Sequence, residues 1–189
     1  MSRYKTQPDA LELIDDPLQL RPWHDDDASA LFEAAHESIA TVGQWLPWCR
    51  ADYEMDDARA WISQCRSGWQ DGELFAFAAF DARSGALLGG IGLNQYNRLQ
   101  GSANLGYWIR QSCQGQGLAA TAARLVARFG FEQLNLLRVE IVVSPENQPS
   151  RRTAEKTGAK FEGIARKRLW MAEQVHDAAV YALTAQDLA

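Results

Sequence analysis

Cysteine is scarce in this sequence of 189 residues, and its three copies lie far apart. Cys49, Cys65 and Cys113 form no CxxC pair, and none has the neighbouring histidines that would complete a zinc site. Neither a disulfide framework nor a metal site is therefore expected, and no residue is assigned as a metal ligand.

Long hydrophobic runs are missing too. No apolar stretch approaches the roughly 20 residues that cross a bilayer, so neither a membrane span nor a membrane partner is expected. The first residues lack the apolar core of a signal peptide, which favours the cytoplasm. Because repeats and proline-rich linkers are absent, residues 1–189 are expected to form a single domain, with residues 1–14 as an extended N-terminal segment.

Net positive charge is also lacking, since 19 basic residues face 24 acidic ones and leave a net charge of -5. This balance argues against direct nucleic-acid binding. The charge is uneven, however, because eight Lys or Arg but only four Glu lie between Arg138 and Trp170. A cationic third of an acidic protein suits a small polyanionic ligand, although a solvated basic face would give the same pattern.

The first third of the chain is predicted to hold a short strand and two helices. Residues 18–21 have the pattern of a strand, and Asp25, Asp26 and Asp27 are expected to cap the next helix rather than to bind a metal. The second helix carries an apolar stripe at helical spacing. The stripe consists of Ala58, Trp61, Ile62, Cys65 and Trp69.

The rest of the chain alternates between strands and helices. Residues 74–81 and 86–95 are predicted to form a hairpin. A strand at 103–109, a long helix from Leu118 and a strand at 138–143 form a βαβ unit, whose two strands should be parallel. The last predicted elements are a short helix at 149–157 and strands at 161–171 and 178–183.

The loop from Gln114 to Ala119 carries the strongest functional signal. It lies between a predicted strand and a predicted helix, and it contains Gly115 and Gly117. Glycines allow close approach of a ligand to the backbone, and the unpaired N–H groups of the helix start favour a phosphate. Two interpretations of this loop compete.

One interpretation is a dinucleotide site of a nucleotide-dependent oxidoreductase, because residues 115–120 fit the pattern G-x-G-x-x-G/A. That site needs an acid about 20 residues later, at the end of the next strand. The next strand offers only Glu140, which lies near its start. The loop also follows more than about 100 residues of other elements, whereas such a unit usually begins a domain. The dinucleotide interpretation is therefore the weaker one.

The other interpretation is the pattern Q/R-x-x-G-x-G/A, matched by Gln114, Gly117 and Ala119. With this motif the sequence resembles the GNAT superfamily of acetyl-CoA-dependent N-acetyltransferases, and within it the RimJ/RimL group of ribosomal-protein N-terminal acetyltransferases. The resemblance covers nearly the whole chain. Besides the loop, it rests on residues 45–48, 105–109, 147–150 followed by 155–158, and 177–183.

The resemblance implies an α+β fold of the GNAT type, which is a mixed, largely antiparallel sheet with one parallel βαβ crossover, flanked by four helices. It also implies acetyl-CoA as the cosubstrate. Backbone groups would hold its pantetheine and pyrophosphate. These groups belong to Ile109, Gln114, Gly115, Gln116, Gly117, Leu118 and Ala119.

Further cosubstrate contacts are implied in the next helix. Asn147 would hydrogen-bond the pantetheine arm, and Ser150 would protonate or stabilise the departing thiolate. Lys156, together with Arg151 and Arg152, would face the nucleotide phosphates. Asn and Ser are also typical at helix starts, so capping is the alternative for Asn147 and Ser150.

By the same resemblance, Trp45, Trp48 and Tyr107 lie on the acceptor side of the cleft. The two indoles would wall the pocket and exclude water, or else form an aromatic cluster that pins the loop between two helices.

The acceptor must be an uncharged amine. An α-amine is about one-tenth neutral at pH 7, whereas a lysine is neutral to less than about one-thousandth. The expected reaction is direct transfer, in a ternary complex, to a protein N-terminal α-amine. The alternatives are a small amine (an antibiotic, an amino acid or an aminoacyl-nucleotide) and a catalytically weak CoA-binding sensor. A homodimer is compatible with the family.

The general base is the open point. Many RimL-like sequences carry an acid where Asn104 stands, and an amide cannot accept a proton. Glu162, Tyr107 or a water relay are substitutes, and His24 and His36 are candidates by their chemistry alone. Asn104 is also the feature that favours the sensor alternative.

Overall fold

Eight strands form one sheet in a computed structural model that describes residues 10–171 and 173–188. The strands are β1 Leu13–Asp15, β2 Leu18–Pro22, β3 Phe75–Asp81, β4 Leu87–Asn97, β5 Ser102–Ile109, β6 Arg138–Val143, β7 Lys160–Met171 and β8 Gln174–Leu183. The helices are α1 Ala28–Glu37, α2 Met55–Asp71, α3 Leu118–Gln133 and α4 Gln148–Thr157, with 3₁₀ turns at Asp25–Asp27, Gln111–Cys113 and Ala185–Leu188.

The strand order is β1-β2-β3-β4-β5-β6-β8-β7, and neighbours are antiparallel except for β5 and β6. The predicted α+β fold, its hairpin (β3 and β4) and its parallel βαβ unit are confirmed. Of the predicted N-terminal segment, residues 1–9 lie outside the described residues, and residues 13 and 14 begin β1. In the described part of the chain, no helix has the length and apolarity that a bilayer span requires.

The sheet is covered on both faces. On one face α3 buries Val126 and Phe129 against strand residues such as Leu93 and Ile141. On the other face α1 and α2 pack over Ala76 and neighbouring residues of β3. Burying apolar surface on both faces is the main favourable term in the stability of such a layered domain.

One local prediction was wrong. Trp61 is 37% exposed, because the other four residues of the α2 stripe already cover the core-facing side and Trp61 lies at its flank. The predicted capping is found one turn before α1, where the carboxylate of Asp27 accepts the backbone N–H of His24 (2.8 Å) in a capping box of the 3₁₀ turn and also accepts from the Arg21 guanidinium (2.7 Å). Asp27 is buried, so the ion pair with Arg21 satisfies a charge that would otherwise be costly.

Strands β5 and β6 are hydrogen-bonded over a short stretch and then diverge. Their register runs only from Ser102 and Arg138 to Asn104 and Glu140. Beyond that point β5 continues along β4 as far as Ile109, while β6 continues along β8. The second half of each strand therefore lines a gap in the middle of the sheet.

Candidate functional site

The gap between β5 and β6 is a cleft of about 640 Å³. Its walls come from the separated strands, the start of α3, helix α4, residues 41–46 and two side chains of β7. The polar and charged lining residues are Thr41, Gln44, Tyr107, Cys113, Gln114, Gln116, Ser144, Asn147, Ser150, Arg152, Thr153 and Lys156, and the larger apolar ones include Trp45, Leu46, Leu105, Trp108, Ile109, Leu118, Leu169 and Met171.

The glycine loop presents backbone donors to this cleft. Gly115 and Gly117 have φ values of 79° and 83°, a left-handed conformation that favours glycine. The N–H groups of Leu118 and Ala119 have no partner among residues 10–171 and 173–188, because the next two N–H groups of α3 are the first to bond, to the Gly117 carbonyl. Free donors at the positive end of a helix dipole make an anion site.

The Gln114 side chain holds the loop in place. Its amide nitrogen donates to the Ile109 carbonyl at 2.9 Å and to Thr41 Oγ1 at 3.1 Å. The glutamine of the motif thus ties the end of β5 to the segment after α1 and leaves the backbone of the loop facing the cleft. Gln116, Leu118 and the rest of the predicted loop also line the cleft.

A second set of hydrogen bonds, made by Glu37 and called here the Glu37 clamp, holds the residues just before the loop and was not predicted from the sequence. Glu37, at the end of α1, accepts from the Ser112 N–H at 2.8 Å and from the Arg110 guanidinium. The hydrogen bond with Ser112, followed by that with Arg110, lowers the pKa of Glu37 below its usual value. These partners are more than 70 positions apart in the chain, so no local pattern marks them.

Asn147 caps α4 and lines the cleft at the same time. Its Oδ1 accepts the Ser150 N–H at 3.1 Å, which confirms the capping alternative for this side chain. Because only the oxygen is used, the amide nitrogen of Asn147 is available to a ligand in the cleft. The pantetheine contact stays a prediction.

Tyr107 and Ser150 form a pair of hydroxyls on the cleft wall. The Tyr107 phenol donates to the Ser150 carbonyl at 3.0 Å and lies 3.1 Å from Ser150 Oγ. Burial raises the pKa of Tyr107 to about 12, so the phenol is protonated at neutral pH. A phenol that keeps its proton is a poor base, so the general-base role considered for Tyr107 is disfavoured. Its hydroxyl contacts the first turn of α4, and its place on the acceptor side of the cleft stays a prediction.

The two predicted acceptor-side indoles separate. Trp45 lines the cleft. Trp48 instead packs edge-on against Trp108 and Tyr53, with ring centroids 5.3 and 5.8 Å apart, in the cluster under α1 and α2. The pocket-wall prediction is wrong for Trp48, because an indole gains more by filling this apolar cluster than by facing water. Gly90 provides the space for the Trp108 ring in this cluster, since a Cβ at position 90 would lie 2.7 Å from the Trp108 ring nitrogen.

Apart from Tyr107, the candidate bases Glu162, His24 and His36 lie outside the cleft lining. Glu162 accepts two hydrogen bonds from the Arg138 guanidinium, which lowers the pKa of that carboxyl. His36 Nε2 is 2.8 Å from the Tyr53 carbonyl, and His24 lies in the turn before α1. In the described part of the chain, no group of three or more His, Cys, Asp or Glu could hold a metal ion.

Of the three cations that were expected to face the phosphates, two line the cleft and one is bound to other groups of the protein. Arg152 and Lys156 line the cleft. Arg151 faces elsewhere, because its guanidinium donates to the Tyr181 hydroxyl at 3.0 Å and to the Pro145 carbonyl. A phosphate contact by Arg151 is therefore not supported.

A smaller groove of about 440 Å³ adjoins the cleft at Lys156. Arg124 and Arg128 of α3 line it together with Asp15. These two arginines stand at i and i+4 on α3, and they were not singled out from the sequence.

Comparisons with known proteins agree with this geometry. The acetyltransferase (GNAT) domain family matches residues 18–160. The [ribosomal protein uS5]-alanine N-acetyltransferase of Escherichia coli (strain K12) is 27% identical over 201 aligned positions, which cover 99% of this chain and 97% of the relative.

Solved structures also superpose on the chain. One is the "Structure of a putative ribosomal-protein-serine acetyltransferase from Vibrio cholerae", with a TM-score of 0.84 and 31% identity, covering 94% of this chain and 99% of the other. A RimL ribosomal L7/L12 α-N-protein acetyltransferase in complex with coenzyme A shares the fold at 20% identity, with a TM-score of 0.83 over 92% of this chain and 98% of the other. Since the family match spans most of the sequence, the chain belongs to the GNAT acetyltransferases, has RimJ/RimL-type relatives, and is an acyltransferase that uses acetyl-CoA.

Proposed function

We propose that this enzyme acetylates the N-terminal α-amine of a protein by direct transfer in a ternary complex. The observation that carries the proposal is the cleft between β5 and β6, which brings the free N–H groups of α3, the Tyr107–Ser150 hydroxyls and Trp45 to one cavity. Direct transfer needs two ligands side by side in such a cavity, together with donors aimed at the charge that develops. Relatives along nearly the whole length act on ribosomal proteins by name.

The site fits acetyl-CoA at its charged end. The backbone N–H groups of Leu118 and Ala119 and the side chains of Arg152 and Lys156 would hold the pyrophosphate. No side chain fills the space above Gly115 and Gly117, where a Cβ would meet no atom within 4 Å. Along the rest of the cleft, the amide nitrogen of Asn147 would hold the pantetheine arm.

The chemistry needs a proton at the leaving sulfur. Acetyl-CoA supplies a thioester, from which the acetyl group passes to the amine while the sulfur leaves as a thiolate. Ser150 Oγ and the Tyr107 phenol are 3.1 Å apart, so one of the two hydroxyls would donate to the developing thiolate, and the proton that the sulfur takes up would be restored to the pair from solvent. The raised pKa of Tyr107 keeps that phenol protonated throughout the neutral range.

A small amine is the second candidate acceptor. The observation that favours it is the apolar part of the cleft, where Trp45, Leu46, Leu169 and Met171 would surround a compact ligand with a ring. A CoA-binding sensor of little activity is the remaining alternative.

The experiment is an acetylation assay by mass spectrometry on three probes. These are a decapeptide with a free α-amine and no lysine, the same peptide with a blocked N-terminus and one lysine, and a panel of small amines. We expect acetyl transfer to the free α-amine alone. Faster transfer to a small amine would replace the proposed acceptor, and no transfer to any probe despite acetyl-CoA binding would support the sensor.

Strand β7 supports the proposal of a homodimer. It is an edge strand of the sheet, and it exposes Phe161, Ile164 and Trp170 by 50%, 49% and 68%. Exposed apolar side chains on an unpaired edge favour pairing with another chain. Sedimentation velocity tests this, since Trp170→Glu should leave a monomer if β7 forms the interface. A single domain over residues 1–189 and a cytoplasmic location stay predictions.

A further inference from the structure

In the part of the chain that the structure describes, the cleft wall combines polar, apolar and cationic groups but no acid. It carries hydroxyls, amides, apolar side chains and two cations, Arg152 and Lys156. Within the described residues, no Asp, Glu or His belongs to this wall.

The carboxylates of the surrounding elements are bound to other groups. Glu37 is held by Arg110 and Ser112, and Glu162 is held by Arg138. Glu155 accepts the Tyr181 hydroxyl at 3.1 Å. Each of these acids is therefore already committed to a structural partner.

A pair of amides, Asn104 and Asn94, lies next to Gly106 and outside the residues that line the cleft. Asn104 Nδ2 donates to Asn94 Oδ1 at 2.9 Å, at the last residue where β5 pairs with β6. Asn104 Oδ1 is buried and accepts no hydrogen bond within residues 10–171 and 173–188. Both side chains are neutral at any working pH, and neither takes up a proton.

Open space adjoins this pair. A Cβ at Gly106 would find one neighbour within 4 Å, Asn94 Nδ2 at 3.7 Å. Gly106 lines the cleft, and the amide protons of Asn94, which have no partner among the described residues, lie next to this open space.

We propose that the acceptor amine enters as its free base beside Gly106, that no side chain of the enzyme deprotonates it, and that the acceptor's own pKa selects the substrate class. This inference rests on the proposed function and deepens it. The class is weakly basic primary amines such as protein α-amines. Lysine side chains are disfavoured by roughly two orders of magnitude at neutral pH, because that is the ratio of the neutral fractions.

The step balances without a base on the enzyme. The ammonium form loses its first proton to water before binding. The nitrogen lone pair then forms the C–N bond, the C–S bond breaks, and its electron pair stays on sulfur. The second proton leaves the nitrogen for solvent as the amide forms, while the Ser150–Tyr107 pair protonates the thiolate and regains a proton from solvent.

The first test is the pH dependence of transfer to two matched peptides, one beginning with glycine and one with β-alanine, whose amine is more basic. We expect kcat to be constant between pH 6 and 9. We also expect kcat/KM to rise with pH up to a midpoint that is higher for the β-alanine peptide. A fall of kcat in acid with a midpoint common to both peptides would reveal an enzyme base and overturn the proposal.

The second test measures protons and does not depend on turnover. Calorimetric titration of the glycine peptide into the enzyme–CoA complex, in buffers of different ionisation enthalpy, reports the protons released. We expect release of about 0.9 of a proton per peptide at pH 7, because a bound free base must shed the proton of its ammonium form. A release near zero would mean that the enzyme keeps the proton, and the proposal would be wrong.

A variant tests the location. Gly106→Ala should raise KM for the peptide at least several-fold and leave the Kd of acetyl-CoA unchanged, and the unchanged Kd would show that the variant folds. An unchanged KM would place the amine elsewhere. If no peptide is acetylated but a small amine is, the proposed function fails, while the pH and proton-release tests on that amine still decide this inference.

Discussion

At the scale of single residues, the Tyr107–Ser150 pair is the proposed donor to the leaving thiolate. The hydroxyls are 3.1 Å apart, and burial raises the pKa of Tyr107 to about 12. Tyr107→Phe and Ser150→Ala should each lower kcat about 10²-fold, which is the usual contribution of a positioned proton donor. The Kd of acetyl-CoA should change little.

The control for this pair is Tyr96→Phe. Tyr96 also donates its hydroxyl to a backbone carbonyl, that of Leu134, and it lies outside the cleft lining. Steady-state kinetics should show wild-type kcat for this variant. If Tyr107→Phe were as active as Tyr96→Phe, the phenol would have no part in the reaction.

Glu37 gives a residue-scale prediction for pH. Its pKa is lowered in the folded state, so its hydrogen bonds stabilise the protein fully above the pKa of an unfolded glutamate and are lost as the pH falls through the lower folded value. The free energy of unfolding should therefore fall more steeply in acid for wild type than for Glu37→Gln. The difference should be about 1 kcal/mol.

Denaturant titrations at pH 6 and pH 3.5 measure this difference. Glu33→Gln, on an exposed position of the same helix, is the matched control and should follow wild type. Equal acid sensitivity of Glu37→Gln and wild type would contradict the assigned role of the clamp.

At the scale of elements, the glycine loop depends on the Gln114 side chain. That side chain joins the Ile109 carbonyl to Thr41 and so links β5 to the segment after α1. Gln114→Ala should raise the Kd of acetyl-CoA several-fold and lower the free energy of unfolding by about 1 kcal/mol, because two hydrogen bonds are lost. Calorimetry and denaturant titration check both effects.

The neighbouring glutamine offers the matched control. The Gln116 side chain makes no hydrogen bond within the described residues, although it also lines the cleft. Gln116→Ala should keep the stability of the wild type. A loss of stability as large as that of Gln114→Ala would show that the loop is not held by Gln114 in particular.

At the scale of the whole molecule, local sequence patterns were sufficient to predict the fold. They were sufficient to predict only part of the candidate site. The β3–β4 hairpin, the βαβ unit and the glycine loop each have a pattern within a few tens of residues, because turn chemistry and periodicity act locally. The places of Trp48 and Glu162 depend on Trp108 and Arg138, which belong to other elements. No local pattern contains those pairings.

The same reason explains what was missed at the cleft. The separation of β5 from β6 follows from where their pairing stops, and that register depends on the packing of the whole sheet. The clamp of Glu37 on Ser112 joins α1 to the turn before the loop. Features of this kind are determined only when the whole chain is folded.

The most direct test of the account is calorimetric titration of acetyl-CoA into wild type, Gly117→Leu and Gly85→Leu. Both glycines have positive φ (83° and 72°) and open space around the missing Cβ. A side chain at either position should therefore lower the free energy of unfolding by a similar amount, roughly 1–2 kcal/mol. Only Gly117 lines the cleft. We expect micromolar binding of acetyl-CoA to wild type, lost in Gly117→Leu and kept in Gly85→Leu. Wild-type affinity in Gly117→Leu would contradict the assignment of the loop at the start of α3 as the acetyl-CoA site.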